Sequence, residues 1–262
     1  MKSLLWPEGA PFAQGNGTED CPAITPYLID SKEPAPAIAV FPGGGYGGRA
    51  HGEGEPIAQW LNTIGISAFV IDYRVAPYRH PCPLLDAQRA IRTIRSKAKE
   101  WNVDTNRVGA LGFSAGGHLV STLGTQYDAG DADAADPIER ESCKPDVLVL
   151  CYPVITFGEK GHSGSKRNLL GEQPDEQLVK ALSNENNVTG QTPKTFLWHT
   201  ANDEAVPVEN SLLFAQALSA NNVPFALHVY PYGRHGMRLA EDDEQVRLWL
   251  KSCELWLRDE GF

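Results

Sequence analysis

Short apolar runs alternate with amphipathic stretches along most of this chain. Residues 37–41, 66–71, 107–111, 147–152 and 195–199 read as strands buried on both faces. Residues 225–230 alternate, with Phe225, Leu227 and Val229 against Ala226, His228 and Tyr230, and predict a last strand. Residues 23–29 alternate weakly and predict an edge strand, after an irregular Pro- and Gly-rich surface leader over 1–23. Between these runs the spacing turns helical. Residues 55–64 place Ile57, Ala58, Leu61 and Ile64 on one face. Residues 84–101 carry an apolar stripe of Leu84, Ala87, Ile91 and Ile94, and their basic residues (Arg89, Arg92, Arg95, Lys97 and Lys99) are expected on a solvated outer face. Further helices are predicted over 119–127, 175–182, 207–220 and 241–257. In the third of these Leu212, Leu213, Ala215, Ala217 and Leu218 are expected to pack inward. In the last, Val246, Leu250, Leu257 and the tryptophans form the apolar stripe.

Strand–helix alternation of this length predicts an α/β domain with a mostly parallel central sheet and helices on both faces. No linker or repeat divides the chain, so residues 1–262 are expected to form one domain. The polar stretch 128–143 reads as a surface excursion. The insertion 155–193 is expected to be a partial lid over the C-terminal edge of the sheet, where open α/β sheets bind ligands.

One turn carries the chemistry. Gly112-Phe113-Ser114-Ala115-Gly116 joins an apolar strand to a helix, the strand–turn–helix context of a nucleophile elbow. The glycines allow a strained serine backbone to approach its neighbours closely, and the helix N-terminus faces developing negative charge. A serine hydroxyl needs a base, and the base an orienting carboxylate. Of seven histidines, His235 lies in a Gly-flanked loop directly after the last strand, within reach of that edge. His118, His199, His228, His51, His80 and His162 are set aside as structural or distant. The preceding strand runs into Asn202-Asp203-Glu204, where Asp203 is the expected acid and Glu204 stays open as its neighbour. The order Ser114, Asp203, His235 is the Ser–Asp–His order of α/β-hydrolases. The Gly-rich turn 42–48 follows an early strand and suits an oxyanion hole; a phosphate loop is disfavoured because the required lysine and ribose-binding acid are missing. Tyr46, Pro153 and Val206, each just after a strand, are expected to line the acyl pocket.

Charge narrows the partners. There are 33 Asp and Glu against 23 Lys and Arg, for a net charge of −10, which disfavours nucleic acid and anionic membranes. Five cysteines without CxxC spacing predict neither a metal site nor a full disulfide framework, with a single bridge left open. No apolar run is long enough to span a bilayer. The first residues lack the apolar core of a signal peptide, which predicts a cytoplasmic protein or one whose leader has been removed.

Five pieces together resemble the serine esterases of the α/β-hydrolase superfamily: Phe41 to Tyr46, Asp72 to Pro77, Gly112 to His118, Asp203 to Pro207, and Gly233 to Gly236. More narrowly, they resemble bacterial acetyl xylan esterases and related carbohydrate esterases near the hormone-sensitive-lipase-like group. The resemblance implies an α/β-hydrolase fold, oxyanion-hole amides at Gly44, Gly45 and Ala115, structural roles for Asp72 and Arg74, and no cofactor. Pro42 stands where hormone-sensitive-lipase relatives have His, and the long N-terminal cap of those relatives is not seen before residue 23, so a more open cleft is expected. The implied function is hydrolysis of short acyl esters, acetyl esters of a carbohydrate foremost, with a small-molecule or oligosaccharide ester as substrate. A prolyl-oligopeptidase-like peptidase and a non-catalytic binding protein of the same fold are the alternatives.

Overall fold

The computed structural model describes residues 1–262. Its single eight-stranded sheet is built from β1 (Ser3–Leu4), β2 (Ala23–Tyr27), β3 (Ala35–Phe41), β4 (Ser67–Asp72), β5 (Val103–Phe113), β6 (Val147–Cys151), β7 (Lys194–Thr200) and β8 (Phe225–Tyr230). The spatial order is β1-β2-β4-β3-β5-β6-β7-β8. The β1–β2 and β2–β4 pairings are antiparallel, and every other pairing is parallel. The helices are α1 (Glu55–Thr63), α2 (Cys82–Ser96), α3 (Ala98–Trp101), α4 (Ala115–Thr125), α5 (Ser163–Leu170), α6 (Glu176–Ala181), α7 (Glu209–Ala220) and α8 (Glu244–Asp259).

The apolar runs read as buried strands because both faces of the sheet are covered. Along β3, Ala37, Ala39 and Phe41 point into one core with α2, α4 and α7; Ile38 and Val40 point into a second with α1 and α8. Parallel strands end together, so the loops after β3, β5, β6, β7 and β8 meet at one edge.

Several expectations are corrected. The leader is not wholly irregular: β1 pairs with β2 and takes the edge position expected for β2. The helix expected over 84–101 is two, α2 and α3, parted at Lys97. The insertion 155–193 contains α5, which the polar composition concealed. In α7, Leu212 is exposed and Phe214 takes the inward place. The largest correction concerns the arginines of α2, which are not a solvated face. Arg89 and Arg92 are buried. Arg89 reaches Glu139 at 2.6 Å and Asp136 at 2.7 Å, Arg92 reaches Asp128 at 2.5 Å, and Arg95 reaches Asp146 at 3.0 Å. The acidic stretch 128–143 folds back over α2 and supplies most of these partners. A helical period shows which face is polar, but not what covers it.

Candidate active site

Ser114 stands between β5 and α4 with φ of 51°. The residues two before and two after it have to be glycine. A Cβ on Gly112 would lie 2.3 Å from the Gly116 carbonyl oxygen, and one on Gly116 would lie 2.1 Å from that of Phe41. The left-handed serine is held by a hydrogen bond from its N–H to the Cys151 carbonyl at 3.0 Å. Such strain in a non-glycine residue persists only where the surroundings impose it.

The structure brings Ser114, His235 and Asp203 into one chain of hydrogen bonds. His235 Nε2 is 2.8 Å from Ser114 Oγ, and His235 Nδ1 is 2.6 Å from Asp203 Oδ2. An imidazole whose Nδ1 proton faces a carboxylate leaves Nε2 free to accept the serine proton. Asp203 Oδ1 accepts from the N–H groups of Ala205 and Val206, each at 2.9 Å. Burial pushes the Asp203 pKa up, but hydrogen bonding from His199, His235 and the Val206 amide outweighs it and holds the carboxyl well below the usual range. His199 Nε2 is 3.5 Å from Asp203 Oδ2, so this histidine, read as structural, supports the acid. Glu204 is exposed. The His235 loop is fixed by two bonds: Gly233 N–H donates to Asn202 Oδ1 at 2.8 Å, and Thr200 Oγ1 to the Gly233 carbonyl at 3.0 Å.

On the other side of Ser114 the turn after β3 presents its backbone. Gly44 and Gly45 have φ of 126° and 63°. A Cβ on Gly44 would lie 2.4 Å from the Gly48 carbonyl oxygen. Gly47 and Gly48 donate to the Gly44 carbonyl at 3.0 and 3.2 Å and close the turn. The N–H groups of Gly44 and Gly45 donate to no protein acceptor. Ala115 opens α4, and its N–H has no intrahelical partner either. Gly44 and Gly45 border a cavity of about 320 Å³ that also holds Ser114, His235, Glu53 and His162.

Glu53, absent from the sequence-based site, joins the two sides. It is 4% exposed, and Oε2 accepts from Gly43 N–H at 2.7 Å. Oε1 accepts from Tyr152 Oη at 2.8 Å, and that oxygen in turn accepts from Arg238 N–H at 3.1 Å. The Tyr152 ring meets His235 edge-on, with centroids 5.0 Å apart. Burial pushes the Glu53 pKa up, against the pull of the Gly43 and Tyr152 hydrogen bonds. A single glutamate between glycines has no spacing that distinguishes it from any loop residue.

The expected acyl pocket is corrected. Tyr46 and Val206 are each 1% exposed, and Pro153 is buried. Tyr46 Oη lies 2.8 Å from His118 Nδ1, and Pro153 packs so closely on Gly117 that a Cβ there would be 2.7 Å from its own Cβ. All three are packed into the interior, and none lines the cavity. The cavity wall is instead polar and small, with Ala50, Ala205, Gly236, His162, Arg234 and Arg238. His162, set aside as distant, arrives there because α5 folds over the edge; Asn168 of α5 donates to the Gly45 carbonyl at 2.9 Å. Asp72 and Arg74 lie outside the cavity as well. Arg74 makes a buried two-bond pair with Asp86 at 2.8 and 2.9 Å, and Asp72 meets Arg49 at 3.4 Å. No three His, Cys, Asp or Glu side chains converge as metal ligands, and the five cysteines are unbridged. No helix is long and apolar enough to cross a membrane.

A family model described as BD-FAE matches residues 27–218. Among characterised proteins, the chain is 38% identical to an endo-1,4-beta-xylanase B of Butyrivibrio fibrisolvens, over 85% of this chain and 35% of that protein. It is 34% identical to an acetylxylan esterase of Xylanibacter ruminicola, over 94% of this chain and 48% of that one. The chain thus spans half or less of the length of these relatives. Among solved structures, an acetyl ester-xyloside bifunctional hydrolase from Caldicellulosiruptor lactoaceticus superposes with a TM-score of 0.96 at 55% identity, covering 100% of this chain and 97% of that one. A carboxylesterase of Lactobacillus plantarum superposes with a TM-score of 0.80 at 24% identity, covering 100% and 98%, a likeness of fold alone.

Proposed function

The chain belongs to the BD-FAE family of α/β-hydrolase esterases, and from that premise we propose that it is a serine carboxylesterase removing short acyl groups, acetyl foremost, from carbohydrate such as acetylated xylan. The observation that carries this reading is the unbroken contact from Asp203 through His235 to Ser114, at 2.6 and 2.8 Å, beside amides with no partner of their own. Ser114 Oγ attacks the acyl carbon as its proton passes to His235 Nε2. Asp203, kept ionised, stabilises the imidazolium that forms. The amides of Gly44, Gly45 and Ala115 receive the oxyanion, supplying charge stabilisation without reorganisation. Collapse of the tetrahedral intermediate breaks the ester C–O bond, and His235 returns the proton to the departing alcohol. Water then repeats the sequence on the acyl-enzyme and releases the acid.

Preference for a short acyl group follows from the cavity wall. Each buried methylene adds about 0.8 kcal/mol to transition-state binding only where an apolar surface receives it, and the wall around Ser114 is mostly glycine, polar and charged. The carbohydrate assignment draws on the relatives named as an acetylxylan esterase and an acetyl ester-xyloside bifunctional hydrolase. Residues 155–193 act as a partial lid through His162 and Asn168. The test is a p-nitrophenyl ester series, with kcat/KM expected to fall from acetyl to butyryl to octanoyl. An optimum at about eight carbons or more would overturn the short-acyl reading, since it requires a buried apolar channel.

A further inference from the structure

We propose that Arg234 and Arg238 form a subsite for a carboxylate carried by the alcohol half of the substrate, so that the favoured ester is an acetylated saccharide bearing a uronic acid. The proposal rests on the esterase reading above and adds the chemistry of the group being deacylated.

Both arginines line the cavity that holds Ser114. Neither guanidinium has a carboxylate within 4.0 Å, although acidic residues outnumber basic ones by ten. The three arginines of α2, by contrast, all have such partners. Each cleft arginine is nevertheless placed by its loop. Arg234 Nη1 donates to the carbonyls of His235 and Gly236, each at 3.1 Å, which leaves the other edge of its fork free. Arg238 has φ of 57° and is held by its backbone: its N–H donates to Tyr152 Oη, and its carbonyl accepts from Trp249 Nε1 at 3.0 Å. Its guanidinium lies across Gly52, where a Cβ would be 2.3 Å from Nη1. The backbone of Arg238 is thus set, Gly52 leaves its guanidinium room, and the side chains of both arginines stay exposed.

The side of the cleft says which half of the substrate is met. His235 returns its proton to the departing oxygen, so the alcohol lies on the His235 side, and Arg234 and Arg238 flank His235 in the same loop. Among the acidic groups here, Asp203 is engaged by His235, and Glu53 by Gly43 and Tyr152. Glu241 and Asp242 border an adjoining hollow of about 190 Å³ that shares both arginines. The place for an anion is therefore the cavity beside Ser114 that Arg234 and Arg238 both line, where guanidinium N–H donors without a carboxylate partner can receive one.

The test compares acetylated xylo-oligosaccharides with and without a glucuronic acid branch. Wild type is expected to favour the acidic substrate about tenfold in kcat/KM, the effect of one charge-assisted contact. The preference should shrink as salt is raised and fall close to parity in the Arg234→Ala/Arg238→Ala variant. Calorimetry with the deacetylated oligosaccharides reads the same preference in binding without turnover. Failure of all ester hydrolysis would overturn the esterase reading and leave this binding test standing. Equal or weaker use of the acidic oligosaccharide by wild type, or a preference that the double variant keeps, would overturn the subsite.

Discussion

Two buried carboxylates flank Ser114, and the protein treats them in opposite ways. Asp203, on the His235 side, receives two backbone N–H groups and the proton of an imidazole, and these hold it ionised against the cost of burial. Glu53, on the oxyanion side, receives one amide and one phenol, and burial prevails, raising its pKa. The difference follows from what each supports. A carboxylate that faces a developing imidazolium contributes through its charge. One that anchors an amide turn contributes through its shape and its lone pairs. Environments that push two nearby carboxyl groups apart in this way divide their roles.

The widest break removes what both sides serve. Ser114→Ala is expected to lower kcat by about a millionfold, the scale of nucleophile knockouts in serine hydrolases, with the fold intact. Activity on p-nitrophenyl acetate within about tenfold of wild type would remove the reason for comparing the two sides. Next comes the charged carboxylate. Asp203→Asn should cost about ten-thousandfold in kcat, because the amide no longer holds the productive imidazole tautomer. Glu204→Gln, on an exposed side chain, should leave activity near wild type. The reverse ranking would transfer the acid's role to Glu204.

The anchoring carboxylate sharpens the contrast. A glutamine at position 53 keeps the shape but has one acceptor oxygen where Gly43 N–H and Tyr152 O–H each need one. Glu53→Gln should therefore lower kcat by about ten- to a hundredfold, below the loss of a direct oxyanion donor, with KM little changed. A loss as large as that of Asp203→Asn would mean that the Glu53 charge, too, acts in the reaction. The smallest expected effect is on stability. The folded pKa of Glu53 is raised, so the folded state binds more protons than the unfolded one and stability falls as pH rises from the ordinary 4.5 through the folded value. The Tm advantage of wild type over Glu53→Gln should thus be larger near pH 4 than near pH 8. An advantage that grows with pH would show that Glu53 is held ionised, like Asp203.

The main features of the site were legible because they rest on local rules. Gly112 and Gly116 around a serine encode an elbow whose neighbours leave no room for a Cβ, and that need is met within five residues. His235 was legible by its place after β8, and Asp203 by its place after β7, because parallel strands end at a common edge. Tyr46, Pro153 and Val206 were misplaced by the same rule. Position after a strand gives the level of a residue, while the direction of its side chain depends on what packs there.

What the sequence determined by itself was therefore the periodic part: the strands other than β1 and their two buried faces, most of the helices, the elbow, and the chain order of Ser114, Asp203 and His235. These depend on side-chain alternation and on backbone sterics, both written within a few consecutive residues. Only the tertiary structure decided that the acidic stretch 128–143 buries Arg89 and Arg92, that α5 carries His162 to the cavity wall, that Glu53 holds Gly43 and meets Tyr152, 99 residues further along the chain, and that Arg234 and Arg238 stay without carboxylate partners. A charged side chain has no period that names its partner. Its environment is set by whichever distant segment folds against it, and that contact exists only once the sheet has brought the loops together.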